Sequence, residues 1–422
     1  MSLFSAIAIK NGIMPTMITW VPILHFYQPP TQDPRITREV STQNYVPFLE
    51  FLMNHPQIEI TINFTGSLLE QLIESGDKIV IDLLKELINR KQIEFVSSPM
   101  YHPLLPLVSI ETMRRQIGKS SQLIQHTFNV EPIPVLLPPE LAITPEMIEH
   151  CKGLFTGIII DESSVTTDWN YVTAPKHSCI FNENTKILPS ARGITEILRS
   201  YPTIIDPEKF ISLLINSSQN AQPIISVNDV ELFGHHYDER LNLLETVFND
   251  NRVSILKLSD ALPTINCTTE QIKITPSSWS SSHTSEPFSL WANPNNDLQV
   301  QYHEFENYVR TLIEKTNLSE MSSQLYEYIA KQFDQGISSC HTYWLSNWPW
   351  WHPEIAEKGV QKLISAVRAI PSNDEDKPEA ERMFSTLIHD LWVYHWNGNQ
   401  YPRYKEYDEY RNAFLSKLPD LS

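Results

Sequence analysis

Glycine is scarce in this chain, with 11 residues among 422, and no glycine belongs to a phosphate-binding pattern. Neither GxGxxG nor GxxxxGK(S/T) occurs after any candidate strand. Such patterns bring backbone N–H groups close to the phosphates of dinucleotides and nucleoside triphosphates. Their absence makes a nucleotide-binding α/β domain a poor interpretation of the sequence.

Basic residues are also few, and they form no cluster that would offset the acidic ones. The chain has 32 Lys and Arg against 50 Asp and Glu, which gives a formal net charge of −18. A surface of that sign repels the phosphates of nucleic acids and the anionic lipids of membranes. We therefore expect neither nucleic acid nor a membrane as a partner.

Long apolar runs and closely spaced cysteines are absent as well. No apolar run reaches the length that crosses a bilayer, and residues 1–13 lack the charged start of a signal peptide. In a chain of this size, cysteines without CxxC spacing predict reduced, buried thiols, although two bridges are possible in principle. These features predict a cytoplasmic protein. The cysteines are Cys151, Cys179, Cys267 and Cys340.

What the chain does contain is a regular alternation of apolar runs and helical segments, such as the segment Ile110–Phe128. Strands buried on both faces and separated by helices imply a parallel sheet with right-handed crossovers. We predict an α/β fold in which about seven units close into a (β/α)7 barrel. The predicted strands are Thr19–Phe26, Ile58–Phe64, Ile93–Ser98, Pro134–Pro139, Gly157–Asp161, Pro223–Asp229 and Val253–Lys257.

The character of the sequence changes after about residue 275, where a serine-rich connection leads into mostly helical sequence. We predict a barrel over residues 18–275 and a C-terminal helical region, packed on the barrel, over residues 276–422. The helices predicted in the second region are Leu298–Thr316, Ser319–Gln335, Pro353–Ala369, Pro378–Trp396 and Pro402–Leu418.

Polar and aromatic residues follow nearly every predicted strand. His25, His102 and Glu140 occur at the ends of three strands, and Asp229 ends a fourth. In a β/α barrel the carboxyl ends of the strands meet at one face, where active sites lie. We therefore expect these four side chains to converge on one pocket.

The stretch from Asp229 to His236 contains two carboxylates and two imidazoles directly behind an apolar run. One interpretation is a strand that delivers Asp229, Glu231 and His235 to a catalytic face. The alternative is a turn whose Asp and Glu only cap the helix that begins near Tyr237. The stretch alone does not decide between them.

Two carboxylates with aromatic and histidine neighbours suit the cleavage of glycosidic bonds. One carboxylate attacks the anomeric carbon, and a carboxylic acid of raised pKa protonates the leaving oxygen. Trp344, Trp348, Trp350 and Trp351 lie within eight residues of one another. Their indole rings either stack on sugar faces or form the core of a domain interface.

Several segments resemble the signatures of one enzyme family, in the order in which that family has them. His25-Phe26-Tyr27-Gln28-Pro29 is similar to its first signature and Gly66-Ser67-Leu68-Leu69-Glu70 to its second. Pro138-Pro139-Glu140-Leu141-Ala142 is similar to the third, and the stretch from Asp229 to His236 to the fourth. The family is glycoside hydrolase family 57, whose members are retaining, α-glucan-active enzymes with a (β/α)7 barrel.

Two further segments carry the same resemblance. The segment 101–107, Tyr-His-Pro-Leu-Leu-Pro-Leu, looks like one that is typical of the shorter bacterial and archaeal members. The residues Ser346-Asn347-Trp348-Pro349 resemble a downstream signature that usually reads Ser-Asp-Trp-Pro. Asn347 departs from that pattern, which puts substrate contacts from this segment in doubt rather than the chemistry.

The resemblance implies a retaining glycoside hydrolase that acts on α-1,4-glucans or maltooligosaccharides without a cofactor or metal. Glu140 inherits the role of nucleophile and Asp229 that of general acid/base. Retention requires the two carboxyl groups to lie about 5–5.5 Å apart. The residues expected to contact substrate are His25, Gln28, Glu70, His102, Glu231, His235, Trp348 and Trp350.

Other functions stay open at this point. A 4-α-glucanotransferase or branching-type transglycosylase of the same family would use the same two carboxylates. A metal-dependent sugar deacetylase or α-mannosidase on a similar barrel would need His and Asp at ligand spacing, but His235 and His236 are adjacent and the first strand lacks His-x-Asp. A glucan-binding protein without turnover is the third alternative.

Overall fold

The computed structural model describes residues 17–422 except 167–174, 176–178, 183–184, 218–221, 271, 281–285, 317–320, 349 and 372–374. A sheet of parallel strands is nearly closed into a barrel and is followed by a helical region, as predicted. The strands are β1 (Ile18–Phe26), β2 (Ile60–Phe64), β3 (Ile93–Ser97), β4 (Ile133–Leu136), β5 (Gly157–Asp161), β6 (Ile180–Asn182), β7 (Thr185–Ser190), β8 (Ile224–Asp229) and β9 (Val253–Ile255).

Seven of these strands form the barrel wall in the order β7-β5-β4-β3-β2-β1-β8, and each neighbouring pair is parallel. The wall closes between its two end strands, where the N–H of Ala191 donates to the carbonyl of Ile225 over 2.7 Å. Strand β6 pairs antiparallel with β7, on the edge of β7 opposite β5.

The seventh barrel strand differs from the predicted one. The wall uses β7, which the sequence pattern did not predict, because Lys186 and Pro189 interrupt its apolar run. The predicted strand at Val253–Lys257 exists as the shorter β9, which pairs only with the first residues of β1, Ile18 to Trp20.

Alternate residues of each barrel strand face two different layers. In β1, Val21 and Ile23 belong to an apolar core inside the barrel together with Val135 and Val227. Trp20 and Leu24, which point the other way, pack in the core between the sheet and its helices. Burial on both faces is why the strands read as continuous apolar runs in the sequence.

Helices of the barrel layer cover the outside of the sheet. The helix predicted at Ile110–Phe128 has those bounds: Ser109 accepts a hydrogen bond from the N–H of Thr112 at its start, and Asn129 ends it with φ +58°. The helices are α1 (Pro34–Val40), α2 (Val46–Asn54), α3 (Gly66–Ser75), α4 (Lys78–Asn89), α5 (Ile110–Phe128), α6 (Pro145–Cys151), α7 (Arg192–Ser200), α8 (Pro207–Ser217), α9 (Arg240–Phe248) and α10 (Leu258–Ala261).

The C-terminal helices have an apolar core of their own, which includes Tyr302, Phe305 and Leu363. Ion pairs join this region to the barrel: Arg115 meets Asp334 at 2.5 Å. No helix in the described part of the chain has an apolar stretch long enough to cross a bilayer. The helices are α11 (Asp297–Lys315), α12 (Ser323–Gly336), α13 (Ser339–Tyr343), α14 (Pro353–Ala369), α15 (Lys377–Trp396) and α16 (Tyr401–Leu415).

The cysteines correct one prediction. Cys179 and Cys267 form a disulfide, whereas Cys151 and Cys340 are free and buried. The pairing follows from the fold, because the N–H of Thr268 donates to the carbonyl of Cys179 over 3.0 Å and holds the two segments side by side. The expectation of four reduced thiols is therefore wrong for this pair.

Candidate active site

Glu140 lies on a short 3₁₀ turn, Pro139–Leu141, directly after β4. Its φ is +60° and that of Leu141 is +48°, a left-handed conformation that is costly for residues with a Cβ. The turn aims the carboxylate at the carboxyl-terminal face of the barrel. Its Oε2 accepts a hydrogen bond of 2.6 Å from Nε1 of Trp279, and Oε1 accepts one of 3.5 Å from Oγ of Ser339.

The surroundings of Glu140 raise the pKa of its carboxyl group to about 7, chiefly because the group is buried. The hydrogen bond from Trp279 acts in the opposite direction, since it stabilises the ionised form. The charge of Asp229 adds to the increase, which shows that the two carboxylates are electrostatically coupled.

Asp229 is the last residue of β8 and lies opposite His25 in the register of the neighbouring strand β1. The short 3₁₀ turn that follows receives no side-chain cap from Asp229, and α9 begins only at Arg240, after Glu239. The interpretation of Asp229 and Glu231 as mere helix caps is therefore wrong. The carboxylate stands at the end of its strand, on the same face as Glu140.

Glu231 lies two residues beyond Asp229, and its buried carboxylate has two polar neighbours. Its Oε1 accepts a hydrogen bond of 2.5 Å from the hydroxyl of Tyr45 and one of 3.3 Å from Nε2 of Gln28. Burial, followed by the charge of Asp229, raises the pKa of Glu231 to about 8. Gln28 thus contacts Glu231 in the structure rather than either Glu140 or Asp229.

Three rings form a stack beside the carboxylates: His25, Tyr27 and His102. The centroids of Tyr27 and His102 are 4.1 Å apart, and those of His25 and His102 are 5.3 Å apart. Nδ1 of His102 lies 3.8 Å from Oε1 of Glu140 and 3.0 Å from Oγ of Ser339. Burial lowers the pKa of both histidines, so the imidazoles are neutral near pH 7.

The other predicted contact residues lie farther from the two carboxylates. Glu70, on α3, pairs with Lys331 of α12 at 2.9 Å and accepts a hydrogen bond of 3.1 Å from Tyr101. His235 packs its ring against His236, with centroids 5.1 Å apart. Within the described residues, neither Glu70 nor His235 has a hydrogen bond or ion pair to Glu140 or Asp229.

The two tryptophans predicted to contact substrate, Trp348 and Trp350, lie in different environments. Trp348 packs among aromatic rings of the C-terminal region, with Tyr407 at 5.6 Å between centroids, and also belongs to an apolar cluster with Leu104 and Ala142 beside Glu140. Trp350 is exposed, with its ring 6.2 Å from that of Trp344.

Asn347, the residue that departs from the family signature, bonds through its side chain to the C-terminal helical region. It adopts φ +56°, which asparagine tolerates better than most residues, and its Nδ2 donates to the hydroxyl of Tyr394 over 2.7 Å. Its side chain thus points to α15.

Like Ser339, Trp279 is a site residue that sequence reasoning missed. It lies in the serine-rich segment that was predicted to be a connection, and its backbone N–H also donates to the carbonyl of Glu140 over 2.9 Å. Arg192 donates to the carbonyl of Trp279 over 2.7 Å and pairs with Asp161 at 2.5 Å. The buried ion pair therefore fixes Trp279, and Trp279 in turn fixes Glu140 through two hydrogen bonds. A single tryptophan among serines was the only signal in the sequence.

Among the residues that the structure describes, no group of three His, Cys, Asp or Glu side chains is placed to hold one ion.

The model of the family described as "Glycosyl hydrolase family 57" matches residues 23–266, which is more than half of the chain. The chain belongs to glycosyl hydrolase family 57. The matched span contains Glu140 and Asp229 and ends before the C-terminal helices.

Relatives of this family 57 chain include "Alpha-amylase 1" of Dictyoglomus thermophilum, 24% identical over 261 residues, which are 60% of this chain and 37% of the relative. A 4-alpha-glucanotransferase of Thermococcus litoralis is 34% identical over 94 residues, 22% of this chain and 14% of the relative. The chain thus matches 37% of the length of the first curated relative and 14% of the second.

Among solved structures, a GH57-type branching enzyme of Pyrococcus horikoshii has the same fold, with a TM-score of 0.67 and 14% identity. The similarity covers 90% of this chain and 96% of that enzyme.

Proposed function

We propose that this family 57 protein is a retaining glycoside hydrolase that cleaves α-1,4-glucans or maltooligosaccharides through a glycosyl-enzyme intermediate. The observation that carries the proposal is the pair of carboxylates, Glu140 after β4 and Asp229 at the end of β8, on one face of the barrel and coupled through their charges. The names of the relatives, an α-amylase among them, support the substrate class.

In the first step, ionised Glu140 attacks the anomeric carbon while Asp229 gives a proton to the glycosidic oxygen. Trp279 contributes by donating to Oε2 of Glu140, because that hydrogen bond favours the ionised form. Water, deprotonated by Asp229, then attacks the glycosyl-enzyme and restores both groups.

Neutral histidines suit contact with sugar hydroxyl groups. Nδ1 of His25 lies 2.6 Å from Oδ1 of Asn63, which fixes the proton on Nδ1 and leaves Nε2 as an acceptor. We extend the proposal to His25 and His102 as residues that bind hydroxyls of the unit at Glu140. Gln28, Glu70, Glu231, His235, Trp348 and Trp350 remain predicted contact residues of the wider substrate site.

Substitution of either carboxylate tests the proposal. We expect Glu140→Gln and Asp229→Asn each to lower kcat on maltooligosaccharides by about 10³-fold or more without unfolding the protein. Glu50→Gln, at an exposed position, is the matched control and should retain full activity. Near-wild-type turnover in Glu140→Gln or Asp229→Asn would refute the assignment.

Transglycosylation is the second candidate function, because a relative named 4-alpha-glucanotransferase matches part of the chain. A sugar hydroxyl in place of water would take the glycosyl group from Glu140. Incubation with maltoheptaose distinguishes the two: shorter sugars alone mean hydrolysis, and longer sugars mean transfer.

A cytoplasmic location, with a glucan as the partner and neither nucleic acid nor a membrane, belongs to the same proposal. The acidic charge supports the partner class. The disulfide Cys179–Cys267 bears against the location, because such bonds persist mainly in oxidising compartments. Fractionation of cells that express the protein would decide.

A further inference from the structure

The last helix, α16, carries aromatic residues along one face. At 100° per residue, Tyr404, Tyr407, Tyr410 and Phe414 fall within a third of the helix circumference, whereas Tyr401 falls outside it. We call these four residues the aromatic stripe. The rings of Tyr407 and Tyr410 are stacked at 6.5 Å between centroids, and those of Tyr410 and Phe414 at 6.2 Å.

The aromatic stripe is continuous with the active site. Trp348 lies between the two, with its ring 5.6 Å from Tyr407 and 5.7 Å from Tyr410. Tyr343 and Trp348 pack in one apolar cluster with Ala142, which lies two residues beyond Glu140. A row of aromatic rings therefore runs from Glu140 outward along α16.

The helix is fixed in this position by the residues that follow it. Leu421 is 3% exposed, its N–H donates to the hydroxyl of Tyr201 over 2.6 Å, and its carbonyl accepts from the N–H of Asp206 over 2.7 Å. The end of the chain is thus held on the barrel. The middle of the stripe nevertheless stays half-buried, so Tyr404, Tyr407 and Tyr410 keep part of their rings accessible.

The charges of α16 indicate what kind of ligand these rings would meet. In the sequence of α16, three basic and three acidic residues cancel in formal charge, namely Arg403, Lys405, Glu406, Asp408, Glu409 and Arg411. A surface with no net charge and several accessible rings suits a neutral ligand with flat apolar faces and many hydroxyls. A pyranose unit has that chemistry.

We propose that Tyr407 and Tyr410, together with Trp348, form a track that binds the glucosyl units of an extended α-glucan beyond the unit held at Glu140. The inference rests on the proposed function and makes it more specific: long chains are favoured over short maltooligosaccharides because only they reach α16. Each ring that is lost removes one stacking partner from the long chain.

The test compares long and short substrates in the full-length protein. In Tyr407→Leu/Tyr410→Leu the apolar volume is kept and the flat rings are lost. We expect the ratio of kcat/KM for amylose to that for maltotriose to fall about ten-fold, which corresponds to about 1.4 kcal/mol. Tyr401→Leu is the matched control, since Tyr401 is 64% exposed and outside the stripe, and its ratio should equal that of the wild type.

A second measurement separates failure of the track from failure of the proposed function. Retardation of the protein in native gels that contain amylose needs no turnover, so it reports on the track even if no glucan is cleaved. Weaker retardation of the double variant supports the track. An unchanged ratio together with unchanged retardation, or equal losses on amylose and maltotriose, overturns it. If the double variant does not fold, the single variants Tyr407→Leu and Tyr410→Leu provide the same comparison.

Discussion

At the scale of single residues, the chemistry depends on how Glu140 is held. Its left-handed backbone, its burial and the two hydrogen bonds from Trp279 determine where the carboxylate points and how readily it ionises. A nucleophile with a pKa of about 7 is only partly ionised at neutral pH. Activity should therefore rise with pH as Glu140 loses its proton.

Trp279→Phe tests this residue-scale account. Loss of the indole N–H removes a hydrogen bond that stabilises the ionised carboxylate, so the pKa of Glu140 rises. We expect the acidic limb of the kcat/KM profile, measured on maltoheptaose, to move to higher pH, with about a ten-fold loss at neutral pH. Trp396→Phe, at a residue that is 73% exposed, should leave the profile in place. An acidic limb that stays put or moves to lower pH in Trp279→Phe would show that this hydrogen bond does not control Glu140.

At the scale of elements, the strand ends that carry motifs could be predicted from the sequence. The segments that reach the site from distant parts of the chain could not. His25, Glu140 and Asp229 follow directly from strands, so their convergence is a consequence of parallel pairing. Strand β7 was missed because its lysine and proline interrupt the apolar pattern, although five of its six residues are buried.

Tertiary neighbours explain the remaining misses. Trp279 and Ser339 reach Glu140 from positions 139 and 199 residues away, and no local pattern records such a contact. The same holds for the pairing of Cys179 with Cys267, which are 88 residues apart.

The disulfide gives an element-scale prediction. We expect alkylation in denaturant, without reductant, to label two thiols, Cys151 and Cys340, and to label four after reduction. Because the bond closes a loop of 88 residues, Cys267→Ser should lower the free energy of unfolding by about 2–5 kcal/mol. Cys151→Ser, at a free cysteine, is the control for thiol counting. Four labelled thiols before reduction would contradict the pairing.

At the scale of the whole molecule, the fold keeps several acids buried, and this links stability to pH. Burial, followed by the charge of Asp161, raises the pKa of Glu162 to about 8, and Glu231 is shifted in the same direction to about the same value. The folded protein therefore holds protons that the unfolded chain has released above the ordinary pKa of 4.5. The stability that these groups contribute is complete below pH 4.5 and is lost as the pH rises through about 8.

We accordingly expect the melting temperature to fall as the pH rises from neutral to about 8, through the pKa values of these two buried acids. The side chain introduced by Glu162→Gln is neutral at every pH. The free energy of unfolding of this variant should therefore fall less steeply with pH than that of the wild type, by up to about 1.4 kcal/mol per pH unit near neutral pH. The exposed Glu50→Gln should reproduce the wild-type slope. Thermal unfolding of the wild type and the two variants at several pH values measures these dependences. If stability depended on pH equally in the wild type and in Glu162→Gln, that would be inconsistent with a buried, protonated Glu162.

The central claim is that Glu140 becomes covalently attached to the substrate while Asp229 handles the proton. The most direct measurement is mass spectrometry of Asp229→Asn after brief incubation with α-maltosyl fluoride, whose leaving group needs no protonation. Since deglycosylation lacks its base in this variant, the intermediate should accumulate. The account predicts a maltosyl group on the peptide that contains Glu140. A label on another residue, or product of inverted anomeric configuration with no labelled protein, would contradict it.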